Sequence, residues 1–172
     1  MNAFDSTVME FVSSHHTPIL NYFFSFITKL GDLMIVWIFL IVALFVYHKK
    51  LKELKYIIPI FAVSFFVNDF VIKNLVKRTR PYEQHDYIKL LIERQSSYSF
   101  PSGHSMTSFM AATVLAYYFP KYKLAFYILA TLIAFSRVYV GVHYPSDIIA
   151  GALVGFGCAI IGIKIMEKIR TK

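Results

Sequence analysis

Residues 148–163 read IIAGALVGFGCAIIGI and residues 33–47 read LMIVWIFLIVALFVY, with no charged residue in either stretch. Three more runs are as apolar: Tyr56–Val67, Met106–Phe119 and Leu124–Phe135. Each is shorter than the ~20 residues needed to span a ~30 Å hydrocarbon core. Completed by their flanks, they predict helices near 31–48, 54–76, 103–119, 122–140 and 145–167. A lipid-facing strand would alternate in polarity and require barrel closure, and these runs do not alternate. The expected fold is therefore all-α, a polytopic transmembrane bundle of about five to six helices.

Composition points the same way. Of the 172 residues, 57% are hydrophobic and 16% charged, where a soluble domain has about 45–50% and 25%. High apolarity also excludes a disordered chain. The length suits a single domain over residues 1–172, and no repeat or Pro/Gly/Ser-rich linker divides it. The lone Cys158 permits no internal disulfide and no cysteine metal site, and it reads as a small buried hydrophobe. Asp5 and Glu10 stand where a signal peptide would carry positive charge, so membrane attachment is expected to be built into the fold. Phe4, Val8, Met9, Phe11 and Val12 recur near helical spacing and predict an interfacial amphipathic helix. Beyond it, either a second piece at Ile19–Lys29 precedes the first apolar run, or residues 19–47 form one long tilted helix containing Gly31 and Asp32.

The net charge of +8 is distributed between the apolar runs. Lys49, Lys50, Lys52, Lys55, Lys121, Lys123, Lys164, Lys168, Arg170 and Lys172 fall on one side of a five-span bundle, and the other eight cations on the opposite side. The positive-inside rule places the first group in the cytoplasm. This pattern orients helices in a bilayer and implies no nucleic-acid partner.

Three polar clusters then meet on the outer side: Lys73 through Arg80-Pro81, Pro101-Ser102-Gly103-His104, and Ser136-Arg137 with His143 and Asp147. Ionisable residues at membrane depth are costly and therefore functional candidates. Lys73 and Arg80 are two helical turns apart and share a face if their helix continues. Ser102 is a natural N-cap, Gly103 lets a ligand approach the backbone, and a helix N-terminus attracts anions. His143 and Asp147 stand four apart, so the carboxylate can fix the imidazole tautomer, and Pro145 suits the first helical turn. Arg137 offers a planar fork for phosphate. Zinc on His104, His143 and Asp147 is the competing chemistry, but it leaves three nearby cations unexplained.

Together the clusters resemble the type 2 phosphatidic acid phosphatase family, with its signature K-x6-R-P, P-S-G-H and S-R-x5-H-x3-D. The chain matches every signature position between Lys73 and Asp147. Soluble vanadium haloperoxidases and acid phosphatases share the constellation, and the five apolar runs separate the chain from them. The resemblance implies a lipid phosphatase that needs no metal and no cofactor. In it His143 attacks phosphorus, Asp147 orients His143, and His104 protonates the leaving oxygen and then activates water. Lys73, Arg80, Ser102, Gly103 and Arg137 hold the phosphoryl oxygens. The expected partners are the bilayer and a phosphorylated lipid. Candidates are undecaprenyl diphosphate, lipid A 1-phosphate, phosphatidylglycerol phosphate and phosphatidic acid. The expected location is a bacterial inner membrane, with the site facing the periplasm. Phosphate transfer to another lipid is compatible with the same signature. A non-catalytic lipid-binding or transport protein is the alternative from another class; a transporter would show repeats or broken helices.

Overall fold

The computed structural model describes residues 2–171, and all regular structure among them is helical. The helices are α1 (Ala3–Ser14), α2 (Pro18–Leu30), α3 (Ile35–Tyr47), α4 (Leu54–Phe66), α5 (Lys73–Val76), α6 (Pro81–Gln84), α7 (Gly103–Tyr118), α8 (Lys123–Tyr139) and α9 (Pro145–Arg170). A π-helical stretch, Val67–Ile72, joins α4 to α5. The five expected apolar helices are thus α3, α4 with its extension, α7, α8 and α9.

Three stretches are long and apolar enough to cross a membrane: Leu51–Gln84, whose helix is interrupted at residues 77–80, Pro120–Tyr139 and Pro145–Arg170. Helices α2 and α3 supply a fourth if counted as one span bent by 56°. Residues 19–47 therefore form two helices, broken where Met34 takes a left-handed φ of 58°. Helix α7, at 16 residues, is shorter than a span. It runs through the bundle interior instead, with Met106, Met110, Val114 and Leu115 fully buried. The many exposed large hydrophobics on α3, α4 and α9 face outward where lipid would solvate them. The protein is an integral membrane protein.

The contact that builds the site is α7 against α9. Gly151 and Gly155 form a small-xxx-small stripe on α9. A Cβ on Gly155 would overlap the Met106 carbonyl oxygen, and one on Gly151 would lie 2.5 Å from that of Ser102. Only glycine lets the two backbones approach so closely. Their N-terminal turns are consequently adjacent: Ser102 N–H donates to the Asp147 carbonyl at 3.1 Å, and Ser105 Oγ to that of Ile148 at 2.6 Å. The main core holds Trp37, Phe45, Ile57, Leu115, Phe126 and Ile133, and Trp37 Nε1 donates to Ser108 Oγ at 3.0 Å.

A second core at the site end contains Met9, Val12, Ile88, Val138, Tyr139 and Tyr144. Helix α1 forms as expected but does more than lie on the interface. Met9, Val12 and the charged Asp5 turn inward, while Phe4 and Phe11 are 52% and 62% exposed. Cys158 is half-buried rather than enclosed. At the opposite end, Arg170 pairs with Glu53 at 3.2 Å and Tyr117 donates to Glu167 at 2.8 Å. These contacts gather the 48–55 loop, the end of α7 and the C-terminal turn of α9, and with them the basic residues they carry.

Candidate active site

Each signature segment reaches the site by a local device. Ser102 caps α7, its hydroxyl accepting Ser105 N–H. Pro145 occupies the first turn of α9, and Asp147 closes the cap by accepting Tyr144 N–H at 2.9 Å. Lys73 and Arg80 arrive differently from the two-turn expectation. Helix α5 ends at Val76, Lys77 turns left-handed at φ 49°, and Arg80 is extended ahead of Pro81. The residue before a proline is driven out of the α region, so one continuous helix through Arg80 is excluded. The two cations meet instead through Ser97, whose hydroxyl accepts from Lys73 Nζ at 3.3 Å and from Arg80 Nη2 at 3.2 Å.

Lys73, Arg80, Gly103, His104, Arg137 and His143 line one cleft of about 380 Å³. Ser102 and Asp147, both fully buried, stand behind it. Arg80 is anchored by Nε to the Ser97 carbonyl at 2.8 Å and by Nη1 to that of Val142 at 2.9 Å. Arg137, also buried, donates from Nη1 to Thr28 Oγ1 at 2.6 Å, and its Nε has no protein acceptor. Lys73 pairs with Asp69 on the preceding turn. Buried cations need such partners or an anion.

The state of His143 follows from its neighbours. Arg80 Nη1 lies 3.4 Å from His143 Nε2. A guanidinium can only donate, so Nε2 must be the acceptor and Nδ1 carries the proton. That N–H faces Ser99 Oγ at 3.4 Å and Asp147 Oδ2 at 3.5 Å. Ser99 in turn donates to Asp147 Oδ2 at 2.5 Å. In the connection between α8 and α9, burial dominates; Asp147 opposes it, Arg80 and Arg137 reinforce it, and His143 is pulled down from 6.5 to about 3. The result is a neutral imidazole with its lone pair toward the cations, the form a nucleophile requires. On the far wall, His104 Nε2 lies 2.9 Å from Asp32 Oδ1, a second histidine–carboxylate pair. Among the described residues, no three His, Cys, Asp or Glu side chains are grouped to hold a metal ion.

Several participants lie outside the signature. Asp69 sits four before Lys73, a spacing that signals an ion pair. Ser97 and Ser99 lie in a serine-rich loop of no distinctive pattern. Asp32 falls in the break between α2 and α3, and Arg78 is hidden inside the K-x6-R spacing. Arg78 donates to Asp147 Oδ1 at 2.6 Å and to Asp5 Oδ2 at 2.7 Å. Tyr82, an aromatic suited to interfacial anchoring, instead braces that loop: its hydroxyl accepts Gln95 N–H at 3.2 Å. Tyr87 and Tyr98 are 44% and 38% exposed.

Known proteins resemble this chain over most of its length. The PAP2 superfamily matches residues 52–171. An undecaprenyl-diphosphatase of Sulfolobus acidocaldarius is 31% identical over 163 residues, covering 94% of this chain and 78% of that protein. A lipid A 1-phosphatase of Rhizobium etli is 43% identical over 91 residues, which is 49% of this chain and 38% of that protein. The crystal structure of a transmembrane PAP2-type phosphatidylglycerolphosphate phosphatase from Bacillus subtilis superposes with a TM-score of 0.73 at 30% identity, covering 96% of this chain and 85% of that one. A helical membrane bundle that converges these side chains, with relatives matching nearly its whole length, belongs to the PAP2 superfamily, among its membrane lipid phosphatases.

Proposed function

We propose that residues 1–172 form one phosphatase domain that hydrolyses a lipid diphosphate or phosphate monoester through a phosphohistidine. The carrying observation is His143: its unprotonated Nε2 faces a cleft lined by Lys73, Arg80 and Arg137. In the first step the Nε2 lone pair forms the N–P bond as the P–O bond to the lipid breaks. His104 gives its proton to the leaving oxygen, and the Nδ1–H held by Asp147 shares the positive charge gained by His143. In the second step His104 takes a proton from water, the hydroxide oxygen bonds phosphorus, and the N–P bond returns its electrons to His143. Lys73, Arg80, Arg137 and the Gly103 backbone stabilise charge on the phosphoryl oxygens, which needs no metal. Ser102, whose hydroxyl caps α7, contributes by holding that N-terminus in place.

Lipid access is supported by an apolar groove of about 480 Å³ between α3 and α4. It shares Met34 and Phe65 with the polar cleft, so headgroup and tail sites are continuous. Among substrates, undecaprenyl diphosphate ranks first by a narrow margin: the undecaprenyl-diphosphatase relative covers 94% of this chain, a lipid A 4′-phosphatase 88% and a phosphatidylglycerophosphatase B 80%. The basic end lies in the cytoplasm and the cleft on the outer face of the bacterial inner membrane. With Lys73, Arg80 and Arg137 assigned to phosphate, the remaining cations divide ten against five. The test is phosphate release from purified lipids in detergent, with labelled lipid to follow the product. Activity toward undecaprenyl diphosphate supports the proposal. No release from any phosphorylated lipid overturns it, and label appearing on a second lipid assigns phosphotransfer.

A further inference from the structure

Helix α1 lies outside the stretch that carries the family match, yet it sends one charged side chain into the interior. Asp5 has no exposed surface. A buried carboxylate is tolerated only when paired and fully hydrogen-bonded. Its Oδ1 accepts Ser146 N–H at 2.9 Å, and its Oδ2 accepts Ser146 Oγ and Arg78 Nη2, each at 2.7 Å. Arg78 Nη1 reaches Asp147 Oδ1 at 2.6 Å, and the guanidinium stacks 3.9 Å from the Tyr144 ring centre. An unbroken chain of contacts therefore links Asp5, Arg78, Asp147 and His143.

We propose that Asp5 is a positioning residue of the catalytic centre, holding Arg78 as a bridge that sets the orientation and charge of Asp147. This rests on the phosphohistidine reading. Arg78 divides one positive charge between two carboxylates. Without the Asp5 charge, the whole cation bears on Asp147 and weakens its support for positive charge on His143. That charge exists only during turnover, and Asp5 does not line the cleft. The loss therefore falls on kcat and on the lifetime of the intermediate, with KM little changed.

The test uses Asp5→Asn in the full chain in detergent. The expected result is a kcat about ten- to hundredfold lower, the size of one charged hydrogen bond, with KM within about twofold. Phosphoenzyme trapped by alkaline quench, divided by the turnover rate, gives the intermediate lifetime independently of how many molecules are folded. That lifetime should shorten at least about threefold, the smaller share of the same interaction energy. An unchanged lifetime and kcat overturn the proposal. If Asp5→Asn fails to fold, Asp5→Asn with Arg78→Gln removes both buried charges. With no guanidinium on Asp147, that folded pair should lengthen the intermediate lifetime at least about threefold, and a lifetime equal to the parent's overturns the proposal by showing a structural role alone. His143→Ala separates the two readings: turnover in that variant defeats the phosphohistidine mechanism itself. A dead His143→Ala beside a fully active Asp5→Asn defeats only the role of Asp5.

Discussion

His143 is kept neutral by burial and by two neighbouring guanidiniums, against the pull of Asp147. Its pKa is lower folded than unfolded, so the unfolded chain binds the extra proton. Its contribution to stability is present above about 6.5 and declines as pH falls toward about 3. Nitrogen NMR of histidine-labelled protein should show a neutral His143 ring, protonated on Nδ1, from pH 5 to 8; a signal titrating near 6.5 would contradict this. Replacing His143 with alanine should abolish turnover, and Asp147→Asn should lower kcat by about 10²–10⁴-fold, as loss of an orienting carboxylate does elsewhere. For His104, the leaving group is diagnostic. His104→Gln should slow phosphorylation by a lipid monophosphate about 10²–10⁴-fold and slow the initial burst of p-nitrophenol from p-nitrophenyl phosphate far less, because that leaving group needs no proton. Equal losses on both would remove His104 from the acid role. Part of this was legible in the chain: residues of all three clusters line one cleft, though Lys73 and Arg80 do so without the shared helix their spacing predicted. Asp5, Asp32 and Ser99 were not legible, because each reaches its partner across more than forty residues of sequence.

Helices α7 and α9 carry His104 and Asp147, and their spacing depends on glycine. Met106 backbone atoms would meet a Cβ on Gly155, and backbone cannot swing aside as a side chain can. Gly155→Ala should therefore separate the helices and cost about 1–3 kcal/mol, the usual penalty for overpacking. A fall in the thermal midpoint of the detergent-solubilised protein, with activity lost in parallel, would register it. At Gly157 an added methyl group would meet nothing within 4 Å, so alanine there should be silent. Nothing local in the sequence named the α7 backbone that Gly151 and Gly155 approach. The break between α2 and α3 was equally open, since an apolar run continues as readily through a bend as along a straight axis.

For the molecule in its membrane, two outcomes are expected. With Cys158→Ala as background, Tyr87→Cys should react with a membrane-impermeant maleimide from outside the cell, and Lys52→Cys only after permeabilisation. The reverse pattern would invert the proposed orientation. Hydrolysis should also persist in excess chelator, because fixed cations supply the charge stabilisation; loss that zinc restores would revive the metal reading.

The apolar runs and charge distribution of the chain sufficed for a helical membrane protein, since a bilayer admits few alternatives for such segments. An intact ordered signature sufficed for the phosphate chemistry, because residue type and local spacing set which groups can cap a helix, donate or attack. The fold had to settle how Lys73 and Arg80 meet without a common helix, which nitrogen of His143 bears the proton, and why an acidic residue sits on an otherwise amphipathic α1. Each depends on long-range packing, where a hydrogen bond's value comes from burial that no local pattern records.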